Sequence, residues 1–179
     1  MISPRYEGDH IDDPSARLVA FGNQLVQVHI ALRERLEELG DHLEEHLAGE
    51  RGRPIDLRTH CLSFCAAVTT HHTAEDDGAF PVLAREHPEL RPVLDELGRD
   101  HRIVTDALRE LAELVERAGE GGVSALALRT ELDSVAALLE THFTYEERRL
   151  ADALSGLTGR LGAVDADLVA RAVQVPRDP

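Results

Sequence analysis

The chain has no tryptophan, two tyrosines and four phenylalanines, so aromatic residues make up only 3% of it. Sheets draw heavily on aromatic and β-branched side chains, and this poverty argues against a sheet-rich fold. Positive charge is scarce as well: 19 Lys and Arg stand against 34 Asp and Glu, a formal net charge of -15. Binding to nucleic acid or to an anionic membrane rests on basic patches, so neither is expected as a partner. The ordinary use of such acidity is a well-solvated surface. Apolar runs stay far below the roughly 20 residues of a membrane span. The N-terminus lacks the charged-then-apolar pattern of a signal peptide, and a cytoplasmic location is the default expectation.

Cysteine is nearly absent too. Cys61 and Cys65 lie four apart, on one side of a helix, and no second pair completes a zinc knuckle. They read as small core residues, with a redox role as the second reading.

What remains is rich in Ala, Leu, Val, Glu and Arg, a composition suited to helices. Four stretches carry apolar residues in steps of four and three, the spacing of one helix face. In the second, Leu57, Cys61, Phe64 and Val68 lead to His71 and Glu75, so an imidazole and a carboxylate occupy core positions. Taken alone, this pair is read equally well as a hydrogen-bonded couple inside a bundle. The fourth stretch repeats it: Leu128, Leu132, Val135, Leu139, then His142, Glu146 and Leu150. The third runs Leu94, Leu97, His101, Val104, Leu108, Leu111, Val115, and the first runs Leu25, His29, Leu32, Leu36. Burying charge is costly unless it is paired or bound to a metal. Four core histidines with two carboxylates point to a metal.

The punctuation divides the chain into a loose arm (1–12), a bundle (13–155) and a C-terminal piece (156–179) with a short helix near 165–174. Asp13-Pro14, Asp56 and Ser124 are expected helix starts. The segment 49–54 is a turn, and His87-Pro88 and Arg91-Pro92 mark a corner. Gly119 to Gly122 is a break, and Gly78 and Pro81 should bend the second helix just past the site. His71 lies 17 residues before Pro88 and His101 13 after it; His101 lies 18 before Gly119 and His142 18 after Ser124. With about 1.5 Å of rise per residue, an up-down-up-down four-helix bundle brings His29, His71, His101 and His142 to one level. That is how facing helices build a metal site in a bundle core.

The set as a whole resembles the hemerythrin-like, or HHE cation-binding, family over about residues 14–154. It combines a lone His, a His-x-x-x-Glu-Asp followed by Phe-Pro, a second lone His, and a His-x-x-x-Glu-Glu. The resemblance implies an all-α bundle holding two non-haem iron ions with an oxo or hydroxo bridge. It implies His29, His71, His101 and His142 as terminal ligands, with Glu75 and Glu146 bridging. His72 stands where some relatives place an additional ligand, although it lies about 100° off the seam. Oxygen carriers of the family resemble this pattern but have a second His four residues on from the third-helix His, where this chain has Thr105. They also place an Asp five residues after the fourth-helix His, where this chain has Glu147. These departures put oxygen storage in doubt. The resemblance leaves peroxide, dioxygen or nitric oxide as the small ligand, with an unidentified redox or signalling partner.

Ligand chemistry by itself admits iron, manganese or zinc, with manganese and zinc the less expected. Three classes of function follow: a di-iron oxidoreductase, a sensing or carrier module without turnover, and a bundle with a structural metal only. His42 and His46, among acidic neighbours, are expected to be surface residues. Phe64, Phe80 and Phe143 could wall a dry pocket, or serve simply as core. Tyr145 could reach a bound oxygen species, although a surface tyrosine is the plainer reading.

Overall fold

The computed structural model describes residues 14–47, 54–119 and 122–155. The arm, Asp13 and the C-terminal segment lie outside the described residues. The rest is helical: α1 Pro14–Leu47, α2 Pro54–Ala74, a π turn Glu75–Ala79, α3 Phe80–Glu86, a 3-10 turn Pro88–Leu90, α4 Arg91–Gly119 and α5 Ala125–Ser155. No strand occurs among the described residues. α1 packs on α2 and α5, α4 packs on α2 and α5, and the square is closed. With α2, the π turn and α3 following one another without a break, this is the expected four-helix bundle.

The core is made of the residues the ladders assign to it. Phe21, Leu25, Leu32, Leu39 and Leu43 of α1 are buried, as are Leu57, Cys61, Phe64 and Val68 of α2. Leu94, Leu97, Val104, Leu108, Leu111 and Val115 of α4 meet Leu128, Leu132, Val135, Leu139 and Leu150 of α5. Few of these are aromatic, so the interior depends on interdigitated leucines, and helices with this spacing bury them on one face.

The connections follow from local chemistry. Ser124 caps α5, its Oγ accepting from the Ala127 N–H at 3.2 Å. His87, held at φ -133° before Pro88, leaves the helical region as a residue preceding proline must. Of the two dipeptides expected to mark the corner, Arg91-Pro92 forms the first turn of α4, where the missing proline N–H has no partner to lose. One expectation needs correcting: Asp56 does not precede α2, which already begins at Pro54.

The expected loosening near Gly78 takes a specific form. One turn of π helix inserts an extra residue, with the Phe80 N–H donating to the Glu75 carbonyl. Such single π turns occur mostly inside longer helices and often at functional sites. Here the turn begins on Glu75 itself.

Candidate metal centre

His29 of α1, His71 and His72 at the end of α2, Glu75 in the π turn, His101 of α4, and His142 and Glu146 of α5 are all buried to 3% exposure or less. Their ligand atoms fall into two groups, each with atoms within 4.8 Å of one another: His29, His71, Glu75 and Glu146 in one, His72, His101 and His142 in the other. All seven side chains singled out in the sequence are therefore brought together. The ring pairs agree with the levels counted along the helices: 5.0 Å for His29 and His71, 4.0 Å for His72 and His101, 4.9 Å for His101 and His142.

The two carboxylates stand between the groups. Glu75 Oε2 lies 3.5 Å from His71 Nε2 and 3.7 Å from His101 Nε2. Glu146 Oε2 lies 3.3 Å from His29 Nε2 and 3.6 Å from His142 Nε2. Each acid thus faces one imidazole of either group, the placement a bridging carboxylate needs. Buried polar atoms are normally hydrogen-bonded. Both oxygens of Glu75 and of Glu146, both ring nitrogens of His72 and of His142, and Nε2 of His101 have no hydrogen-bond partner. So many unpartnered donors and acceptors in one buried cluster fit a cation centre.

Two further acids orient the histidines from behind. His29 donates from Nδ1 to Glu147 at 2.9 Å, and His101 donates from Nδ1 to Asp76 at 2.9 Å. A proton held at Nδ1 leaves the Nε2 lone pair directed at the centre, the usual arrangement behind a metal-bound imidazole. Sequence reasoning missed this role, although the signal was present: Asp76 directly follows Glu75 and Glu147 directly follows Glu146. The acid after each core glutamate turns to the histidine of the neighbouring helix. Arg33 locks Glu147 at 2.9 Å and reaches Glu140 at 2.6 Å. The His29 ring stacks on Phe143, with centroids 4.2 Å apart. Gly98 lies close to Asp76: a Cβ there would stand 3.3 Å from Oδ1, a tight contact that Asp76 would have to yield to.

Burial and mutual charge set the protonation of the metal-free centre. Burial, with Glu146 and Asp76 nearby, pushes Glu75 well above the usual carboxylate range. Burial would raise Glu146 too, but His29, His142 and His101 hold it below that range. Burial would lower His29, but the carboxylates of Glu146 and Glu147 beside it outweigh that and raise it. His142 is lowered to about 4, chiefly by burial, and His72 is lowered well below its ordinary value by burial and four neighbouring histidines. A neutral imidazole is the form that binds a metal. His72 and His142 are held in it.

The family model for the Hemerythrin HHE cation binding domain matches residues 21–154. The chain belongs to the hemerythrin HHE family. No curated protein and no solved structure matches it. Cation binding by this hemerythrin-family chain agrees with the His and Glu cluster in its core.

Residues outside the cluster fall as follows. Tyr145 turns its hydroxyl to Glu96, donating at 2.7 Å, so its proton is engaged away from the centre. Phe80 and Phe143 stack on His101 and His29 respectively, and Phe64 is core. His42 is half-buried and stacks on His60 at 3.9 Å, apart from the cluster; the His46 side chain lies outside the described residues. The sulfurs of Cys61 and Cys65 are 4.0 Å apart and free, within the apolar seam. Among the described residues no helix is long and apolar enough to cross a membrane.

Proposed function

We propose that the chain is a non-haem di-iron protein that meets a small oxygen or nitrogen species, peroxide, dioxygen or nitric oxide, at its buried centre. The observation supporting this reading is the position of Glu75 and Glu146, each within 3.7 Å of one imidazole from either histidine group. Two cations sharing two carboxylates is the arrangement that such a placement suits. His72, His101 and His142 would hold one ion, and His29 and His71 the other. The donors suit iron, manganese or zinc, and iron is the choice that matches a redox role. A pair of iron ions would supply one-electron redox chemistry and a coordination position for the small ligand.

The chain's own residues do the rest. Glu147 and Asp76 hold two imidazoles in the tautomer that presents Nε2. Phe80 and Phe143 exclude water and fix ring planes. The group with two histidines has one imidazole fewer than the other, so the pair of ions as a whole keeps an exchangeable position. A purely structural metal would not require this inequality.

Metal analysis and a near-ultraviolet and visible spectrum of protein from iron-replete cells test the reading. Two irons per chain, with near-ultraviolet absorption perturbed by millimolar azide, are expected. Full loading with zinc and indifference to azide, peroxide and nitric oxide in both oxidation states would leave only the structural-metal reading.

A further inference from the structure

The centre is buried on every side, so a small molecule needs a way in. Between α4 and α5 lies a cleft of about 310 Å³ whose lining includes His142 of the cluster itself. One end of it is apolar: Val104 is fully buried, Leu138 half-buried, and Ile103 stands 56% exposed on the outer lip, where a solvated helix ordinarily carries a polar residue. The other end is acidic, formed by Glu96, Asp100 and Tyr145. Tyr145 donates to Glu96 across the two helices at 2.7 Å and so closes that end. Among the described residues no cation lines the cleft; at its acidic end the Arg149 guanidinium lies 5.8 Å above the Tyr145 ring.

We infer that this cleft is the entry port to the centre and that it selects small uncharged molecules over anions. The inference rests on the reading of the centre as one that meets an exogenous ligand. An apolar lip offers no hydrogen bonds to hold water in place, so a diatomic molecule passes without displacing a bound shell. Two carboxylates at the other end of the cleft, on a chain of net charge -15, repel azide or nitrite before they enter it. Ile103 and Leu138 set the width of the port, and Glu96 and Asp100 set its charge preference.

Three measurements test this. Xenon in the metal-free protein, followed by xenon magnetic resonance or by diffraction under xenon pressure, should occupy the cleft, and Ile103→Trp should abolish the signal. In iron-loaded protein, Ile103→Trp and Leu138→Trp should each slow nitric oxide association by about tenfold, with iron content unchanged. Azide association to the wild type should rise with ionic strength by up to about tenfold and lose that dependence in Glu96→Gln/Asp100→Asn. Ile103 is a surface position and tolerates the larger side chain; the salt dependence needs no variant at all. Unchanged nitric oxide rates in both filled variants, or azide rates indifferent to salt, overturn the port alone. Failure of every small ligand to bind the iron-loaded protein overturns the port together with the reading of the centre.

Discussion

The two ends of the centre are built alike and held differently. At one end His29 donates to Glu147; at the other His101 donates to Asp76, both at 2.9 Å. Glu147 is gripped by Arg33, which also takes Glu140 and lies 5.3 Å over Phe143, the ring on which His29 stacks. Among the described residues Asp76 has no such clamp: its side chain is 37% exposed, against 23% for Glu147, and its neighbour is the bare backbone of Gly98. The first end is therefore fixed by a network and the second by a single bond that water can reach. The fixed end belongs to the group with two histidines and the looser end to the group with three. Fewer ligands are offset by firmer orientation.

The sharpest way to break this comparison is to remove what the two ends share. Glu75→Ala or Glu146→Ala should abolish binuclear loading, since each carboxylate serves both groups. His71→Ala and His142→Ala should each destroy the binuclear spectrum while leaving at most one ion; full two-iron occupancy by metal analysis in either variant would undo the assignment. Stripping the metal with a chelator comes next. Leaving the buried carboxylates and imidazoles unliganded forfeits binding energy that otherwise favours the folded state, about 4 kcal/mol at metal levels near 1,000 times Kd. For a chain of this size that corresponds to roughly 10 °C in thermal midpoint, to be read by circular dichroism with and without metal.

Smaller effects should separate the ends. Glu147→Ala is expected to weaken metal binding by about 10–100-fold, as loss of an outer hydrogen-bond partner typically does, and to leave Arg33 without its inner acceptor. Asp76→Ala should fall at the low end of that range, because solvent can replace the lost oxygen. Competition against a chelator measures both, and equal losses would erase the distinction. Gly98→Ala, which crowds Asp76, should mimic Asp76→Ala in part. The smallest effect belongs to His42→Ala with His46→Ala, which should leave iron content unchanged; loss of one iron would show that this pair belongs to a metal site after all.

Much of this was legible in the sequence because one periodicity governs both core and site. The step of four and three that buries Leu139 also buries His142 and Glu146, so a polar residue on the seam announces itself. His72 was harder, being off the seam, yet it is buried with His101 and His142. The outer acids were hidden by their company: in a chain this rich in Asp and Glu, Asp76 and Glu147 look like solvated surface. Arg33 and Gly98 matter only through partners on other helices, a relation that no local pattern records. The π turn was foreshadowed by Gly78, but the register of one extra residue was not. The division of the chain at residues 12 and 156 concerns segments outside the described residues.

The central claim is that two ions share Glu75 and Glu146. The most direct test is a low-temperature Mössbauer spectrum of the protein loaded with isotopically enriched iron, taken beside a metal-to-protein ratio. Two irons per chain giving one antiferromagnetically coupled diferric pair, lost in Glu75→Ala and in Glu146→Ala, is the expected result. A single iron per chain, or two irons with no magnetic coupling, would contradict it.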